Sequence, residues 1–209
     1  MMQAKVGFAL LALLLPLLLN ATNFIKNDLL TANASKIIED IGDELSLKTG
    51  IHIYADVTNE AFPEKFNLVE YSKKYDSQLS KPYVILIFAP NAVITEKSKQ
   101  SGRVGLIPSS EDLKAMYNSS RVKDFAIDVV ATKDSNSKQD KYNIGVVQSY
   151  SELADNIAEF KNVKMTKTIP NETQFVVGIL KYIVIFGSLF VLWIFLLRPL
   201  FERIKNGKK

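Results

Sequence analysis

Oxygen atoms, rather than nitrogen or sulfur, are what this chain can offer a reaction. Its 209 residues include one histidine, His52, and no cysteine. That composition leaves a Cys–His nucleophile pair without its thiol and zinc without its usual three or four N and S ligands. His52 reads as a structural residue on the polar face of a strand. Calcium and magnesium need only oxygens, and two acidic loops supply them. One holds Asp56, Asn59, Glu60 and Glu64, and the other Asp134, Asn136 and Asp140. The second lacks the sixth-place glycine and closing glutamate of an EF-hand, and Lys133, Lys138 and Lys141 bring positive charge to it. Both also read as solvated turns. The first is the stronger candidate because ligands of open α/β sheets gather beyond the carboxyl ends of strands. Asn91 and Glu96 follow the neighbouring strand, so the candidate Ca2+ or Mg2+ set is Asp56, Asn59, Glu60, Asn91 and Glu96. A metal ion held there would activate water against a phosphate ester. The sequence contains no glycine-rich phosphate loop and no nucleophile elbow to strengthen that reading.

The elements that must position these residues follow from hydrophobic period. Ala34, Ile37, Ile38, Ile41 and Leu45 recur at helical spacing, and Gly50 stops the helix. Ile51 to Val57 alternates as a half-buried strand, with His52, Tyr54 and Asp56 on its polar side. Leu68, Tyr71, Tyr75 and Leu79 form one helical stripe that ends before Pro82. YVILIFA, Tyr83 to Ala89, is a continuous apolar run of strand length and predicts a central strand buried on both faces. Gly102 to Ile107 is a further, glycine-weakened strand. A helix begins at Ser109 or Ser110 and carries Leu113, Met116, Tyr117, Val122, Phe125 and Val129, with Asn118-Ser119-Ser120 as a break point. After a polar loop over Thr132 to Lys141, Tyr142, Val146, Tyr150, Leu153, Ile157 and Phe160 mark the last helix. The tyrosines at 71, 75, 117, 142 and 150 are both core residues and interface candidates.

Both ends of the chain are apolar. Phe175 to Leu197 contains a single charge, Lys181, and at about 1.5 Å per residue reaches roughly 34 Å, the length of a membrane span. Lys181 lies near the upstream end, where a lysine snorkels to the headgroups. Arg198, Arg203, Lys205, Lys208 and Lys209 follow the run and predict a cytoplasmic tail, 198–209. Residues 1–21 have one early lysine, an apolar stretch broken by Pro16, and a small residue at the close, which fits a signal peptide or an uncleaved amino-terminal anchor. Between them, residues 22–32 read as a tether, 33–162 as the exported domain and 163–174 as a juxtamembrane linker. From Thr22 to Gln174 there are 19 Lys and Arg against 21 Asp and Glu, a net of −2. The domain therefore lacks the basic surface of a nucleic-acid binder.

Thr49-Gly50 leading into IHIYADV, the strand YVILIFA, and DKYNIGVVQSYSELADNIAEF together resemble the entry strand, second strand and closing helix of the TPM domain family. The resemblance covers about 33–162. Asp140-Lys141-Tyr142 stands where that family usually has Gly-Asp-Tyr, and PNAVITEKSKQ replaces its arginine-bearing stretch. The resemblance implies an α/β fold, a small mixed sheet sandwiched between helices, followed here by one C-terminal transmembrane helix. It also implies an accessory, assembly or scaffold role beside a membrane protein complex, with a phosphatase activity proposed for some members. The expectation is thus a single-pass bacterial inner-membrane protein whose domain lies in the periplasm. It contacts lipid through 175–197 and the basic tail, meets a membrane complex in the same bilayer, and binds no nucleic acid. A divalent-metal-dependent phosphatase in the same place is the alternative. Asn33-Ala34-Ser35 and Asn118-Ser119-Ser120 are also glycosylation sequons, which leaves a eukaryotic type I topology open.

Overall fold

A computed structural model describes residues 22–170, 172–199 and 206. The expected signal peptide or anchor, 1–21, and most of the expected tail lie outside the described residues. The chain divides into two compact units, one ending at Ile169 and the other beginning at Pro170.

In the first unit, strand β1 (Phe24–Asn27) leads into helix α1 (Ala32–Thr49), β2 (His52–Val57), α2 (Leu68–Lys73), β3 (Tyr83–Thr95), β4 (Gln100–Pro108), α3 (Glu111–Lys114), α4 (Ser119–Ala131) and α5 (Lys138–Phe160). The strands form one mixed sheet in the order β1-β2-β3-β4. β1, β2 and β3 run parallel, and β4 returns antiparallel to β3. Local chemistry fixes the helix ends. The Thr31 side chain accepts from the Ala34 N–H at the start of α1, and Gly50 closes it at φ 70°, donating its N–H to Ser46 O. That left-handed conformation favours glycine. Asn118 and Ser137 cap α4 and α5 by accepting from the Arg121 and Asp140 N–H groups, so the Asn118 break point is a helix start.

The sheet is covered on both faces. Ile53, Ala55, Val57, Val84, Leu86 and Phe88 meet Ile38, Ile41 and Leu45 of α1 and Val146, Tyr150, Leu153 and Ile157 of α5. Tyr54, Tyr83, Ile85 and Ile87 face Phe62, Leu68 and Tyr71. α5 is tied to the sheet by a buried hydrogen bond from Tyr150 Oη to Ile53 O, 2.8 Å. Gly42 of α1 makes room for it, since a Cβ there would lie 2.4 Å from Tyr150 Oη.

Several expectations change. The tether 22–32 contains β1, which pairs with β2, and Ala55 N–H donates to Asn23 O at 2.8 Å. Four residues are too few to display a strand's alternation, although Phe24 and Ile25 do pack against opposite cores. The linker 163–174 begins as part of the domain: Met165 is buried, Glu44 accepts from the Thr166 and Lys167 N–H groups, and Ile169 N–H donates to Ser151 Oγ at 2.7 Å. β2 is covered on its supposed polar side, where Tyr54 and Asp56 are buried. β3 continues through Pro90 to Thr95, with the ladder irregular between Ala89 and Val93, where a proline is tolerated. Tyr71, Tyr117, Tyr142 and Tyr150 are buried, which assigns them to packing instead of an open interface.

The second unit contains α6 (Glu172–Leu192), followed by a π-helical turn over Trp193–Leu197 in which the Arg198 N–H reaches Trp193 O. Among the described residues no helix is long and apolar enough to cross a membrane. The expected span, 175–197, is divided between α6 and the turn.

Candidate functional site

β1, β2 and the loop after β2 bring charged groups together at the carboxyl edge of the parallel strands. Lys26 and Asp56 are partners across the β1–β2 ladder, so their side chains leave the same face of the sheet. Asp56 is fully buried. Among the described residues neither of its carboxylate oxygens has a hydrogen-bond partner. Burial pushes its carboxyl up to about 6, against the opposing pull of the Tyr71 hydroxyl and the Lys26 and Lys74 ammonium groups. Tyr71 Oη itself pairs with Tyr75 Oη at 3.3 Å, and Lys74 Nζ lies over the Tyr71 ring, 3.7 Å from its centroid.

Lys26 makes its bonds to other groups. Its ammonium lies 2.8 Å from Glu60 Oε1 and 3.0 Å from Asp28 Oδ2, and it donates to Thr58 Oγ1 at 3.2 Å. Hydrogen bonding to Glu60, then to Asp28, holds the Lys26 ammonium well above the ordinary lysine range. The Asp28 carboxyl is held below its ordinary value, first by the Asn59 backbone N–H, which donates to Oδ2 at 3.0 Å, and then by Lys26.

The five residues selected from sequence do not form one ligand set. Asn91 Nδ2 donates to Asn59 Oδ1 at 2.7 Å, so those two side chains pair with one another. Glu60 is engaged by Lys26. Glu96 is exposed, and its backbone N–H donates to Glu64 Oε2 at 2.9 Å. Among the described residues no group of three or more His, Cys, Asp or Glu side chains is arranged to hold a metal ion. Asn91 does line a cavity of about 360 Å3 with Phe88, Ile94, Val104, Ile127 and Tyr142, but neither Asp56 nor Glu60 is among its lining residues. Asp134 and Asp140 of the other loop are occupied locally, by Lys141 at 3.2 Å and by the Ser137 hydroxyl at 2.6 Å. His52 stacks on Tyr54 at 6.0 Å between centroids, and burial lowers its pKa, as expected of a structural imidazole.

Sequence reasoning missed Lys26, Asp28 and Thr58. The first two sit in the stretch read as a tether. The signal that could have revealed them is the Phe24-Ile25 pair followed by the Thr31 cap, a short strand feeding a helix as in a parallel crossover unit.

No protein-family model matches the sequence, and no curated protein matches it. Among solved structures, the chain is similar to the BA42 protein of the psychrophilic bacterium Bizionia argentinensis, determined by NMR. The two share 13% identity over 69% of this chain and 96% of that one, with a TM-score of 0.41. A likeness of that size decides nothing about function.

Proposed function

We propose that the chain is a membrane-anchored, TPM-like domain acting outside the cytoplasm as a non-catalytic accessory or assembly module for a bacterial inner-membrane protein complex. The observation that carries this reading is the surface of the second unit. Phe186, Phe190 and Phe195 are 67%, 65% and 74% exposed, and Ile183, Val184, Leu189 and Val191 are exposed with them. A helix apolar on all sides needs an apolar surrounding. By sequence the run Phe175 to Leu197 has the length of a span, and Arg198 with the basic tail supplies a positive-inside flank. That run is divided between α6 and the π-helical turn, and no helix among the described residues is itself long and apolar enough to cross a membrane. An anchored domain needs only modest contacts, because the bilayer raises the effective concentration of partners in it. The engagement of Glu60, Asn59 and Asn91 by neighbouring side chains favours a module without a reaction centre.

The test is extraction from the native membrane in mild detergent after brief cross-linking. A reproducible, stoichiometric membrane-protein partner supports the accessory role, and a chain recovered from the soluble fraction overturns the anchor.

One observation favours the second reading, a divalent-metal-dependent phosphatase: Asp56 is a buried carboxylate without a partner, and such groups mark functional sites. Under that reading, magnesium-dependent hydrolysis of an aryl phosphate by the purified chain disappears in Asp56→Asn.

A further inference from the structure

The cavity of about 360 Å3 beyond the carboxyl end of β3 opens between β3, β4, α4 and α5, and it has the size of a small-molecule site. Irregular backbone keeps it open. Pro90 and Gly102 both line it, the β3–β4 ladder shifts between Ala89 and Val93, and Gly102 stands at φ 109°. Ladder interruptions of this kind re-aim side chains beside sites. The walls are apolar, from Phe88, Val104 and Ile127, and the Phe88 and Tyr142 rings meet edge to face at 5.4 Å between centroids.

The polar side chains left over in the cavity are donors. Lys138 and Tyr142 both line it and lie one turn apart on α5, on one face of the helix. Tyr142 is only 8% exposed. A tyrosine hydroxyl so placed ordinarily finds a partner, as those of Tyr83 and Tyr150 do in Asp76 and in Ile53 O. Among the described residues the Tyr142 hydroxyl has no hydrogen-bond partner and the Lys138 ammonium has no ion pair. No Asp or Glu lines the cavity. Arg103 does, but its guanidinium donates to Phe66 O at 2.6 Å, and Asn91 is paired with Asn59. What remains is one ammonium and one hydroxyl beside an aromatic wall, the complement of a singly charged carboxylate carrying a ring.

We infer that this cavity binds a small aromatic monocarboxylate, its ring against Phe88 and Tyr142 and its carboxylate accepting from the Tyr142 hydroxyl and the Lys138 ammonium. At about 30 Å3 for each water-sized group, the space admits about a dozen non-hydrogen atoms. The inference goes beyond the accessory role and does not depend on it, because every lining residue belongs to the first unit.

The probe is hydrocinnamate, with its uncharged amide as the control. Each is titrated into the full-length chain in detergent, isotope-labelled at the isoleucine methyl groups, and followed by NMR. The expected result is a saturable shift at the Ile94 and Ile127 methyls, both in the cavity lining, with the carboxylate bound more tightly than the amide. Lys138→Gln should weaken hydrocinnamate about fivefold or more and leave the amide unchanged. Tyr142→Phe keeps the ring and should melt as the native chain does, since the hydroxyl makes no bond within the protein, yet it should weaken hydrocinnamate to a similar degree. A tyrosine with a purely structural role would lose stability instead and leave the affinity as it was. The inference is overturned by the absence of a saturable shift at both methyls up to about 20 mM ligand, by equal affinity for acid and amide, or by either variant binding hydrocinnamate as the native chain does. Recovery of the chain from the soluble fraction would remove the anchor and leave this titration standing, and failure of the titration would leave the anchor standing.

Discussion

The Asp56 carboxyl has a folded-state pKa of about 6 against an ordinary value of 3.8, and a difference of that sign makes acid stabilising. The folded state holds the proton more tightly than the unfolded chain does, so stability rises as pH falls from above 6 towards 4. At about 1.36 kcal/mol per pKa unit, the ionised carboxylate disfavours folding by about 3 kcal/mol at neutral pH. Chemical denaturation at a series of pH values should show this rise, and Asp56→Asn should flatten it. Glu44 acts in the opposite sense at lower pH. Though burial opposes it, the Lys48 ammonium and the Thr166 and Lys167 groups lower its carboxyl from 4.5 to about 2. Its contribution is present above its unfolded value and is lost as pH falls through the folded one. The two windows overlap, so stability should be greatest where they meet, at about pH 4. Tyr150 is the other decisive residue. Tyr150→Phe removes the hydrogen bond to Ile53 O and should lower stability by about 1 kcal/mol. Gly42→Ala forces a methyl group against the Tyr150 hydroxyl and Asn23 and should lower it by about 1–3 kcal/mol. Equilibrium unfolding measures both. The position of Asp56 near the carboxyl end of β2 was legible from the alternating strand. Its burial was not, because nothing in IHIYADV announces that Phe62 and Tyr71 will cover the polar side.

Elements with long periods were legible, and elements held by backbone hydrogen bonds were not. α1 and α5 present apolar residues at helical spacing over 18 and 23 residues, and both lie within a few residues of the expected positions. β1 has four residues and is identified mainly by its pairing with β2. The segment 163–169 has no period at all. Its docking depends on Glu44, whose carboxylate accepts from Thr166 N, Thr166 Oγ1 and Lys167 N, and on Lys48, whose ammonium donates to Lys164 O at 2.6 Å. Acidic and basic residues on a helix ordinarily read as a solvated face, so these two carry no sequence signal for such a role. Glu44→Gln should release the segment: amide exchange at Thr166 and Lys167 should accelerate severalfold, and global stability should fall by about 1–3 kcal/mol. Hydrogen–deuterium exchange with mass spectrometry resolves the local effect from the global one.

At the scale of the whole molecule, a mixed sheet with helices on both faces was what the family resemblance implied, and the first unit has that architecture. The candidate ligand set was legible only in part. Asp56 and Glu60 do come to one edge, but the cation there is supplied by Lys26 from a strand the sequence concealed. The proposed role depends on where the domain stands relative to the bilayer, and the composition of the chain makes that directly measurable. Because the sequence has no cysteine, a single introduced thiol reports one position without background. Lys138→Cys places it at the exposed start of α5, and Lys208→Cys places it in the tail. Spheroplasts of a bacterial host expressing each variant are treated with a membrane-impermeant maleimide, before and after permeabilisation. The account predicts labelling of Lys138→Cys in intact spheroplasts and of Lys208→Cys only after permeabilisation, with both chains in the membrane fraction. Labelling of both positions before permeabilisation, of neither, or recovery of the chain in the soluble fraction would contradict it.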